Sequence, residues 1–119
     1  MKIVKRIDFV KLPPETLFSE YEPCWFGPLM IKGDTLNGND WCEQAIADAI
    51  ESKGDDYADI LLRAEKTGES IGMDFDCQGR DGCFDEDTRL YAVWEPQDVQ
   101  HLFNRLKRCL QNTSAAEPK

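Results

Sequence analysis

Val99, Leu102, Phe103, Leu106 and Leu110 recur at intervals of three and four residues, which is the apolar stripe of an amphipathic helix. Pro96 suits the first position of that helix, and Lys107 and Arg108 complement its C-terminus. A second stripe, Tyr57, Ile60, Leu61 and Ala64, predicts a helix capped by Asp55 or Asp56 and stopped at Thr67-Gly68. Just before it, Cys42, Ala45, Ile46, Ala49 and Ile50 also recur at helical spacing. Asp40 and Glu43 have capping-box spacing there, so a helix is expected from about Trp41 to a C-cap at Gly54. The two consecutive helices would form a tight helical hairpin.

Elsewhere the period is two, or the apolar runs are short. Ile3 and Val4 mark an edge strand within Met1–Arg6, and a short helical turn over Ile7–Leu12 ends at Pro13-Pro14. Thr16–Glu22 and Leu29–Lys32 flank the turn chemistry of Pro23–Gly27 and predict a β-hairpin. Gly33–Asn39 is expected to be a loop. Ile71, Met73, Phe75 and Cys77 alternate with Gly72, Asp74 and Asp76, which predicts a half-buried strand with a carboxylate face. Arg89–Trp94 is a further strand. The expected architecture is α+β: an antiparallel sheet of about four or five strands with three helices, mainly on one face. Residues 1–111 would form a single domain and residues 112–119 a flexible tail.

Length agrees with one domain, since 119 residues hold a single core but not a cofactor domain beside a substrate domain. The net charge is −9, and residues 72–87 hold six acids and one base, so this short segment supplies −5 of it. Such acidity opposes direct binding to nucleic acid or anionic lipid and favours basic protein surfaces. No apolar run reaches membrane-spanning length, and Asp8 interrupts the N-terminus before a signal-peptide core could form. Five cysteines cannot all pair, and their spacings do not repeat, so reduced thiols in a cytoplasm are expected.

The acidic segment offers the first candidate chemistry. Asp74, Asp76, Gly79 and Asp85 fall at positions one, three, six and twelve of a calcium loop, but Gln78 and Asp81 break the pattern and the flanks read as strands. Cys77 and Cys83 are too widely spaced for a structural zinc pair and have no second pair. They read instead as residues at a hairpin mouth that could join on oxidation. His101 is the single histidine and lies within the last helix, where it has no nucleophile motif beside it. The residues therefore assign no catalytic role, no resident cofactor and no metal ligand. Trp25 and Phe26 sit in a predicted turn. They are expected to pack into the core or, if exposed, to form the apolar centre of a contact whose acidic rim is residues 74–87.

The phrases Tyr21-Glu22-Pro23-Cys24-Trp25-Phe26-Gly27, Leu29-Met30-Ile31-Lys32-Gly33 and Met73-Asp74-Phe75-Asp76-Cys77-Gln78-Gly79-Arg80-Asp81-Gly82 resemble small uncharacterised accessory proteins encoded by bacteriophages and prophages. The resemblance implies an accessory factor that acts in the bacterial cytoplasm by binding a host or phage protein. The expected contact residues are Asp74, Asp76, Arg80, Asp81, Asp85, Glu86 and Asp87 with Trp25 and Phe26. A calcium-binding or small hydrolytic domain using the same acids is the alternative, as is a homodimer that buries the open sheet face.

Overall fold

Phe18, Tyr91 and Trp41 need one apolar surface, and an antiparallel sheet provides it by bringing segments far apart in sequence onto one face. The computed structural model describes residues 1–52, 56–77, 79–80 and 88–116. Its elements in chain order are β1 (Lys2–Lys5), α1 (Arg6–Phe9), β2 (Thr16–Glu22), β3 (Trp25–Phe26), β4 (Met30–Leu36), β5 (Asp40–Ala45), α2 (Tyr57–Thr67), β6 (Gly79–Arg80), β7 (Leu90–Val93) and α3 (Pro96–Ala116). The strand order is β1-β7-β2-β4-β5-β6, with β3 also paired to β2. Every neighbour pair is antiparallel. The fold is the expected α+β arrangement. Five strands have four residues or more, and β3 and β6 add two residues each.

The largest departure from the sequence reading is at residues 40–45, where a strand replaces the expected helix. Asn37 and Gly38 both take positive φ, 53° and 76°, and turn the chain tightly between β4 and β5. β4 therefore continues through Leu36, where a loop was expected, and Leu36 pairs with Asp40. The strand period puts Trp41 and Glu43 on the core face together, and the Trp41 indole N–H donates to Glu43 Oε1 at 2.7 Å. Asp40 caps no helix; its carboxylate accepts from the Trp41 backbone N–H. Among the described residues no helical hairpin forms, and the expected C-cap Gly54 lies outside them.

One face of the sheet holds the core: Phe9, Phe18, Trp41, Tyr91 and Val93. Phe9 projects from the short helix α1, stacks on Tyr91 at 4.2 Å between centroids, and meets Phe18 and Trp41 edge-on at 4.7 and 4.9 Å. Lys32 is fully buried among them. Between Lys32 and Thr35 the register of β4 shifts, and this irregularity turns acceptors toward its ammonium. Leu12 and Gly33 carbonyls and the Thr35 hydroxyl accept its three hydrogen bonds at 2.9, 3.1 and 2.7 Å. Burial pushes the Lys32 pKa down, while the Asp34 carboxylate opposes that shift.

The helices are less covered than their stripes predict. α2 has the expected caps, with Asp56 accepting from the Ala58 N–H and Gly68 left-handed at φ 74°. Of its stripe only Ile60 is buried, whereas Tyr57 and Leu61 are exposed. Residues 71–77 are not a ladder strand; Met73 forms an isolated bridge with Ile50, and Phe75 is exposed. α3 continues past Asn112 to Ala116 and packs broadly against no other described element. The Cα radius of gyration is accordingly 17.2 Å, against about 13.5 Å for a compact chain of this length.

Burial separates the two aromatic types cleanly. Phe9→Ala should cost about 3–5 kcal/mol in urea unfolding by emptying the core. Phe103→Ala, on the exposed face of α3, should change stability by less than about 0.5 kcal/mol.

Candidate functional site

Pro23 and Cys24 turn the chain out of β2, with Cys24 at φ 66° and its N–H donated to Tyr21 Oη. The chain then returns as β3, placing Trp25 opposite Glu22 and Phe26 opposite Tyr21. Gly27 closes this small loop by donating its N–H to the Glu20 carbonyl at 2.9 Å. Trp25 and Phe26 are 56 % and 51 % exposed, so the expectation that they pack into the core is overturned. A two-residue strand at the end of the sheet offers no inner face on which both rings could be covered.

Asp74 and Asp76 lie at the same end of the sheet. Asp74 donates its N–H to the Ala49 carbonyl, and its own carbonyl accepts from Gln44 at 3.5 Å, just where β5 ends. The Asp74 carboxylate accepts from the Asp76 N–H at 2.8 Å, which makes a local turn and not a carboxylate-bearing sheet face. Asp74 is half-buried and Asp76 exposed, and the exposed acids Glu22 and Asp48 sit at this end too. The backbone of Arg80 pairs with Cys42 in β6. Asp81, Asp85, Glu86 and Asp87 lie outside the described residues, as does Cys83.

Among the described residues no group of three or more His, Cys, Asp and Glu side chains is placed to hold a metal ion. No described helix is long and apolar enough to cross a membrane. His101 is exposed on α3.

α3 carries a second surface along its apolar stripe. Its start is tied down firmly. The Glu95 N–H donates to the Asp98 carboxylate, in the manner of a capping box, and the Met1 ammonium bonds both Asp98 and Glu95. Beside this start lies a groove of about 350 Å³ lined by Val4, Leu12, Leu17, Val93, Trp94 and Val99. The Trp94 Nε1 atom is buried there without a hydrogen-bond partner among the described residues. Leu102 is half-buried, and beyond it the stripe leaves the body: Phe103, Leu106 and Leu110 are 55, 55 and 68 % exposed. Their exposure was missed because periodicity reports a face and not what covers it. The available signal was charge, since residues 96–116 hold three bases and one acid in a chain that is otherwise strongly acidic.

Compared with protein-family models, curated proteins and solved structures, the chain matches none.

The Met1 ammonium beside Asp98 and Glu95 raises the amine pKa, and the same contact holds the Asp98 carboxyl below its usual range. The carboxylate half of the tether is present above the ordinary carboxylate range and lost as pH falls through the depressed Asp98 value. The amine half is present below the ordinary amine range and lost as pH rises through the raised Met1 value. The tether is therefore complete between those limits. An NMR titration should show Asp98→Asn returning the Met1 amine toward its ordinary pKa; an unmoved amine would mean the contact does not exist in solution.

Proposed function

We propose that the protein is a phage-type accessory factor that binds a host or phage protein bearing a basic surface. The observation that carries this reading is that Trp25 and Phe26, consecutive residues leaving β3 from opposite faces, are both more than half exposed. Large aromatics at an interface centre supply most of its binding energy, because they bury much area at little entropic cost. Here they stand at the acidic end of the sheet, with Glu22 directly opposite Trp25. Asp48, Asp74 and Asp76 complete the described part of the rim.

Charge and apolar contact have separate tasks in such a surface. Residues 1–95 hold ten bases and twenty-one acids, a net −11, which would draw a basic partner in and speed encounter. The aromatic pair would then set how long the complex lasts. The cytoplasm of a bacterial host is the proposed location, in keeping with the resemblance to phage proteins and with the free thiols of Cys24, Cys42 and Cys77.

Capture of a partner from bacterial lysate tests the reading. Replacing Trp25 and Phe26 together by Ala should leave the circular dichroism unchanged and weaken binding about thirtyfold or more, the scale of a lost hot spot. Asp74, Asp76, Asp81 and Asp85 replaced by Asn should instead slow association and flatten its salt dependence. Retained capture by both variants would place the contact elsewhere.

A further inference from the structure

The stripe of α3 has an internal arrangement that the proposed contact at β3 does not use. Val99 and Leu106 are separated by seven residues, as are Leu102 and Cys109, and the two series are offset by three. They occupy the a and d positions of a short heptad pattern, with Phe103 and Leu110 beside them. The helix runs 21 residues, about 31 Å at 1.5 Å per residue. Its start lies against the body, where Val99 lines the groove and Leu102 is half-buried, whereas Phe103, Leu106 and Leu110 are 55, 55 and 68 % exposed.

We propose that α3 pairs antiparallel with α3 of a second copy of this chain. In an antiparallel pair a residues of one helix pack against d residues of the other. Val99 then meets the second copy's Cys109 while Leu102 meets its Leu106, and both layers require the same axial register. A single register that satisfies every a and d position marks the stripe as self-complementary. Electrostatics selects the direction. The basic half of α3, with Arg105, Lys107 and Arg108, lies far from its own body, whose residues 1–95 carry −11. Antiparallel pairing brings each basic half toward the other copy's acidic body. Parallel pairing would set the two basic halves side by side. The aromatic pair on β3 takes no part, so a dimer would present two copies of it.

Sedimentation velocity on the full chain over the micromolar range should show a dimer. Leu106→Glu should raise the dissociation constant by about a hundredfold, since it forces an unpaired carboxylate into the seam. The circular dichroism should stay the same, because Leu106 is exposed in the single chain. Val99→Cys should form an intermolecular disulfide with Cys109 on mild oxidation, identified by peptide mapping. Cys109 should not cross-link to itself, since the two copies would lie about 15 Å apart along the axis. A monomer at all concentrations, a dimer unaffected by Leu106→Glu, or a Cys109–Cys109 cross-link would each overturn the proposal. None of these results bears on capture through Trp25 and Phe26, so the two readings fail separately.

Discussion

The ring of Phe9 is the contact on which the rest of the structure depends. It comes from a helix of only four residues, yet it stacks on Tyr91 from β7 and meets Phe18 from β2 and Trp41 from β5. Those strands lie far apart in sequence. One ring therefore closes the sheet's covered face, and α1 exists to deliver it. Arg6, one turn earlier, lays its guanidinium over the Trp41 ring at 4.7 Å and donates to the Asn39 carbonyl, which fixes the turn between β4 and β5.

That core explains both the buried polar groups and the exposed apolar ones. Lys32 and Glu43 are paired in register on the face that Phe9 covers. Each is satisfied locally, the ammonium by two carbonyls and a hydroxyl and the carboxylate by the Trp41 indole. A core of five side chains filled from strands and α1 takes in little of the stripes of α2 and α3, of which Ile60 is buried and Leu102 half-buried. Their other large apolar residues stay at the surface, as do Trp25 and Phe26.

Much of the fold was legible. The hairpin of β2 and β4, the edge position of β1, strand β7, the caps of α2 and the start of α3 all follow from local chemistry: a turn residue, a capping acid, a proline. The failures share a cause. Residues 42–50 have helical spacing and residues 71–77 have strand spacing, but period alone cannot weigh a competing long-range contact. Trp41 gains more from the aromatic cluster than residues 40–45 would gain from a helix. The Asn37-Gly38 pair is among the strongest hairpin signals a sequence can carry, and it outweighs the loop composition of residues 33–39. For residues 71–77 no strand offered a long ladder, so the alternation had nothing to pair with.

The sequence by itself determined the class of the fold, its acidity, the tight turns and the amphipathic character of the last helix, because each of these is set by residues close together in the chain. It also singled out Trp25 and Phe26 as a pair worth locating. Only the tertiary structure decided that the pair is exposed, that Asp74 and Asp76 share its end of the sheet, and that α3 extends uncovered beyond Leu102. Exposure depends on whether distant segments arrive to bury a surface, and here Phe9 and three strands had already completed the core.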